Sequence, residues 1–82
     1  MSKLDKAIAR LKEKPKDYSW VEAKALLSKL GFIEIQGDGS RVKFFHKERD
    51  LVVMLHCPHP GNTLKMYAVK IIYNRLSEGG FI

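Results

Sequence analysis

The sequence predicts a small α+β domain in which helices cover one face of a three-stranded antiparallel sheet. Three observations carry this prediction. Apolar residues recur at helical spacing near both ends of the chain, and the period changes to strand-like runs between about residues 32 and 56. Glycine, proline or a charged turn punctuates each change.

Leu4, Ala7, Ile8 and Leu11 share one helical face, with Lys3, Lys6, Arg10 and Lys12 between them, which predicts a short amphipathic helix over about residues 3–13. Pro15 stops it, because its ring removes an amide donor and clashes with the preceding turn. Lys16-Asp17-Tyr18 reads as a connector. Ser19-Trp20-Val21-Glu22 then has the form of a capping box, in which hydroxyl and carboxylate each take one otherwise unpaired amide. The second helix is expected from about Trp20 to Leu30, with Trp20, Ala23, Leu27 and Leu30 as its apolar stripe and Leu26 beside it. Gly31 ends it by accepting a left-handed backbone.

Phe32 to Gln36 reads as the first strand, and Gly37-Asp38-Gly39-Ser40 as a turn. Arg41 to His46 alternates, with Val42 and Phe44 on one side and Arg41, Lys43 and Phe45 on the other: one buried face and one basic face. After the charged turn Lys47-Glu48-Arg49-Asp50, Leu51 to His56 is almost continuously apolar and is expected to be the best buried strand. Short connections make a meander the simplest topology. Pro58, Pro60 and Gly61 make a loop of residues 57–63. A final helix is expected over about residues 65–77, with Val69, Ile72 and Leu76 facing the sheet and Gly79-Gly80 ending it. The opposite sheet face is left for water or a ligand.

With 82 residues, 45% of them apolar and 29% charged, the chain suits one globular domain, residues 1–82, with residues 1–14 as a helical extension. No apolar run approaches the ~20 residues of a membrane helix. The first residues lack the apolar block of a secretory signal, and the lone Cys57 fits a reducing compartment, so the cytoplasm is expected. Fifteen Lys and Arg against nine Asp and Glu give a net charge of +6, a field that attracts polyanions.

Three histidines, His46, His56 and His59, are the residues suited to proton transfer near neutral pH. RNA gives them an opening. Its 2′-hydroxyl attacks the neighbouring phosphate once a base removes the proton and an acid protonates the leaving 5′-oxygen, with cations steadying the charge. His59 stands between Pro58 and Pro60 in a stiff loop. His56 ends an apolar strand, where a core histidine is the ordinary expectation, and His46, beside a charged turn, is expected in solvent. His56-Cys57-Pro58-His59 lacks the second ligand pair of a structural zinc site, so neither metal nor cofactor is expected. Cys57 has no activating helix N-terminus and is read as structural. Gly37-Asp38-Gly39-Ser40 has the look of a small anion nest followed by Arg41 and Lys43, and Lys65 and Lys70 add charge around the last helix.

Taken together, Gly31-Phe32, then Gly39-Ser40-Arg41-Val42-Lys43-Phe44, then His56-x-Pro58-His59-Pro60 and Leu64-Lys65-x-Tyr67 resemble the HicA toxin family. Pro15-Lys16-Asp17-Tyr18-Ser19-Trp20 resembles an extended branch of it, so the likeness runs from about residue 15 to the C-terminus. The resemblance implies a fold like double-stranded-RNA-binding domains, helix, three-stranded sheet, helix, here with an extra short N-terminal helix. It also implies a metal-independent endoribonuclease acting on messenger RNA, and a HicB-type antitoxin partner. The better-known branch has a catalytic histidine on the second strand, and the matching position here is Arg41. Arginine stays protonated and serves as a phosphate ligand rather than a base. A second family histidine, in the loop after the third strand, matches His59, so proton transfer is expected to rest on His59 with His56 assisting. Ser40, Arg41, Lys43, Lys65 and Lys70 are expected to contact RNA. The rival readings are a non-catalytic RNA-binding module on the same basic surface, and a protein-interaction domain with an acidic partner.

Overall fold

The computed structural model describes residues 3–58 and 61–82. The elements follow in the order α1 (Lys3–Lys12), α2 (Trp20–Lys29), β1 (Ile33–Gln36), β2 (Arg41–His46), β3 (Leu51–His56) and α3 (Met66–Glu78). The strands form one antiparallel meander, β1-β2-β3. Register runs from Ile33 opposite Phe45 to Gln36 opposite Val42, and from Arg41 opposite His56 to His46 opposite Leu51. Helices α2 and α3 pack against the sheet, and α1 packs on both of them.

Local chemistry explains the boundaries. The Ser19 hydroxyl accepts from the Glu22 amide and the Glu22 carboxylate accepts from the Ser19 amide, both at 3.1 Å, so the capping box opens α2 as expected. At its other end Gly31 takes φ +101°, and the Phe32 amide turns back to the Leu27 carbonyl at 2.9 Å. The β1–β2 turn closes with the Gly37 amide on the Arg41 carbonyl at 2.9 Å.

The core lies between the sheet and the helices. Val42, Phe44, Val53 and Leu55 supply the sheet side; Ala23, Leu26 and Leu27 of α2 and Ala68, Val69, Ile72 and Leu76 of α3 supply the helix side. Leu11 of α1 is fully buried among them. Leu30, expected on the α2 stripe, is only half-buried, since it lies past the last turn of the helix.

Two expectations are corrected here. β3 is not the best buried strand. It is an edge of the sheet, only Val53 and Leu55 are buried, and Met54 is 45% exposed, because alternate side chains of an open sheet must point away from the core. The segment read as a connector also contributes to the core: Tyr18 is 1% exposed. Burial, reinforced by the negative charge of Glu22, pushes its phenol up to about 12. The neighbouring Arg10 bonds Glu22 at 3.0 Å and Asp17 at 3.2 Å, fastening α1 to the start of α2.

Among the described residues, no helix is long and apolar enough to cross a membrane.

Candidate active site

The site is built where β2 begins and β3 ends. Arg41 is paired with His56 in the ladder, and strand alternation puts both on the open face of the sheet, together with Lys43 and Phe45 of β2 and Val52 and Met54 of β3. The ladder continues one step beyond the strands, because the Cys57 amide donates to the Ser40 carbonyl at 2.8 Å. That bond lays the Ser40 side chain against His56, with Oγ 3.3 Å from Nδ1. A hydroxyl both donates and accepts, so Ser40 orients the ring in either tautomer. When Nδ1–H donates to Ser40 Oγ, the Nε2 lone pair is left available to take a proton.

His56 is therefore exposed and is not the core histidine expected from its apolar strand; Leu55, one residue earlier, fills the inward position. His46 is corrected the other way. It is buried, 8% exposed, and points to the helix side. The Arg49 amide donates to its Nδ1 at 3.1 Å, which makes Nε2 the protonated nitrogen, donating to the Leu30 carbonyl at 3.1 Å. Its ring packs edge-on between Phe32 and Phe81. His46 is thus a structural histidine that closes the end of α2.

Beside His56 lies a cavity of about 240 Å³, lined also by Cys57, Pro58, Thr63, Leu64, Lys65, Tyr67 and Ala68. The segment leading into α3, which lines it at Thr63 to Lys65, is held by the connector before α2. The Trp20 amide donates to the Asn62 carbonyl at 2.6 Å, the Leu64 amide to the Tyr18 carbonyl at 2.8 Å, and Leu64 is buried. This clamp fixes Lys65 and the first turn of α3 against the end of β3.

The structure thus brings together Ser40, Arg41 and His56, with Lys65 lining the same cavity as His56. Lys43 stands further along the open face, opposite Met54, and Lys70 is exposed on α3 without lining the cavity. Arg41, Lys43, Lys65 and Lys70 form no ion pair with any described acid, so their charge is turned toward solvent. His59 lies outside the described residues. A wider concavity of about 390 Å³ between α2 and β1 carries no histidine and is flanked by the Lys24–Glu34 pair at 3.4 Å, so it offers no comparable chemistry.

Sequence reasoning gave no role to Tyr67 and did not foresee the Ser40–His56 contact. Tyr67 had two signals: it stands in the Leu64-Lys65-x-Tyr67 part of the resemblance, and it precedes Ala68 and Val69 of the inward stripe, so it points outward. The Ser40 contact depends on register, which patterning alone leaves open.

In a comparison with family models the sequence matches the HicA toxin of bacterial toxin-antitoxin systems over residues 20–77. The chain belongs to the HicA toxin family. No curated protein and no solved structure matches it. The HicA match spans α2, the whole sheet and all but the last residue of α3, so every residue of the site falls within it and α1 falls outside. The observed helix, antiparallel sheet and helix are the architecture the HicA resemblance implies. A HicA-family chain is the toxin of a toxin–antitoxin system, and such a system supplies an antitoxin partner.

Proposed function

We propose that this HicA-family chain is a metal-independent endoribonuclease that cleaves messenger RNA. The observation that carries the reading is His56, exposed at the mouth of a polar cavity, oriented by Ser40 and paired across the ladder with Arg41.

In this mechanism one histidine removes the proton of a 2′-hydroxyl, and O2′ attacks the adjacent phosphorus. The bond from phosphorus to O5′ breaks as a second proton carrier protonates O5′. The products are a 2′,3′-cyclic phosphate and a 5′-hydroxyl. His59 and His56 share the two roles, with His59 as the principal carrier. Arg41, at the position of the family's strand-two histidine, holds the phosphate and stabilises its growing negative charge. Lys65 adds charge in the same cavity, and Lys43 and Lys70 steer the polyanion.

The HicB-type antitoxin is placed on the open sheet face. There Ile33, Ile35 and Met54 are about half exposed on the same face as Arg41 and Lys43, a surface suited to an acidic partner with an apolar centre. Such a partner covers His56 and silences the site. The cytoplasm is the proposed location, since messenger RNA is the substrate.

The test is cleavage of a long RNA in EDTA by the wild type and by His56→Ala, His59→Ala and Arg41→Ala. The expected result is cleavage by the wild type, loss in both histidine variants, and a decrease of roughly 10²–10³ in kcat for Arg41→Ala. The Arg41 departure favours one second reading, a non-catalytic RNA-binding module. Salt-sensitive binding by a folded wild type with no cleavage would establish that reading instead.

A further inference from the structure

We propose that Tyr67 is a stacking platform for an unpaired nucleobase next to the bond that is cut, so that the substrate is a single strand and not a duplex. The inference rests on the ribonuclease reading and adds the form of the RNA.

The chain has three tyrosines, and two of them are engaged. Tyr18 is buried, and the Tyr73 ring carries the Lys14 ammonium 4.5 Å from its centroid. Tyr67 is 57% exposed, and its side chain makes no hydrogen bond or ring contact with any described residue. The rings of Trp20, Phe32, Phe44 and Phe81 are all in aromatic contacts in the core or at its edge, and Phe45, half-buried on the open sheet face, does not line the cavity of His56. The exposed part of an aromatic ring gains nothing from packing and remains available to a flat, apolar surface.

Its position decides which surface. Tyr67 lines the same cavity as His56 and Lys65, on the first turn of α3, whose backbone is fixed by the clamp at Leu64. A phosphodiester held between His56 and Lys65 brings a neighbouring base to the Tyr67 side of the cavity. Every base has a π-face, so a lone aromatic platform recognises unpaired nucleotides with little sequence preference. In a duplex both faces of that base are already stacked and its edge is paired, so the platform finds nothing to hold.

The experiment measures binding and cleavage of a short single-stranded oligoribonucleotide, and of the same strand annealed to its complement, by wild type, Tyr67→Phe and Tyr67→Ala. Binding is read by fluorescence anisotropy and cleavage by initial rates. Tyr67→Ala is expected to weaken binding and raise KM by roughly five- to a hundredfold with little change in kcat. Tyr67→Phe keeps the ring and is expected to match the wild type. The duplex is expected to be cut far more slowly than the single strand.

Equal single-strand affinity for Tyr67→Ala and wild type would overturn the proposal, whatever the cleavage result. So would a loss in Tyr67→Phe as large as in Tyr67→Ala, which would assign the role to the hydroxyl, and so would equal cleavage of the duplex. Weaker binding by Tyr67→Ala in a protein that cuts neither RNA would remove the ribonuclease reading and leave the platform standing.

Discussion

Replacing His46 with leucine separates the structural histidine from the proposed catalytic ones. The variant keeps an apolar side chain between Phe32 and Phe81 but removes both ring nitrogens. The Arg49 amide and the Leu30 carbonyl lose their partners at a site 8% exposed. Each lost bond costs about 1 kcal/mol net, and more where the orphaned group stays dry. The two edge-on ring contacts, at 5.1 and 5.0 Å, add about 0.5–1.5 kcal/mol apiece. A destabilisation of at least about 3 kcal/mol follows, a large share of the roughly 4–12 kcal/mol expected of a domain this size. Urea denaturation followed by the fluorescence of Trp20, the single tryptophan and 9% exposed, reports it directly. With a urea dependence of about 1–2 kcal/mol/M, the midpoint is expected to fall by at least roughly 1.5 M at unchanged slope. Cleavage by the fraction that remains folded is expected to persist. A midpoint within a few tenths of a molar of wild type, together with lost cleavage, would refute the assignment and make His46 the catalytic residue.

Two further outcomes are expected. Because the folded Tyr18 phenol sits at about 12 against an ordinary 10, the folded state keeps a proton that the unfolded chain releases; its contribution is full below pH 10 and is lost as pH rises from 10 to 12. At about 1.4 kcal/mol per pKa unit the loss approaches 3 kcal/mol, and Tyr18→Phe should flatten the stability profile over that range in urea titrations at successive pH values. Leu11→Ala, at a fully buried position, is expected to cost about 3–5 kcal/mol in the same denaturation assay, and a cost below 1 kcal/mol would show that α1 is not part of the core.

Where the fold was legible, it was legible through local chemistry. Ser19 and Glu22 announced the start of α2, Gly31 its end, and alternation from Arg41 to His46 fixed which side of β2 is buried. β3 misled because an apolar run does not distinguish a strand covered on both faces from an edge strand with an apolar open face. Val52 and Met54 belong to the open face, where Ile33 and Ile35 of β1 join them. Such apolar exposure is what a partner-covered surface produces, so the misreading and the proposed antitoxin face have one origin.

The histidines show the same limit at the site. Their expected surroundings came from neighbours in sequence, but a strand residue's surroundings are set by parity. His46 follows Val42 and Phe44 by even steps and turns inward despite the charged turn beside it. His56 is one step past Leu55 and turns outward despite its apolar run. Lys65 and Tyr67 join His56 only because Tyr18 and Trp20 hold the backbone at Asn62 and Leu64. Tyr18 lies outside the family match and is buried against the same core that receives Leu11. The cavity wall thus depends on residues N-terminal to the matched region. An alanine at Leu11 that loosens this packing should weaken RNA binding at the cavity while leaving the Ser40–His56 ladder in place, which would make the extension a support of the site and not an appendage to it.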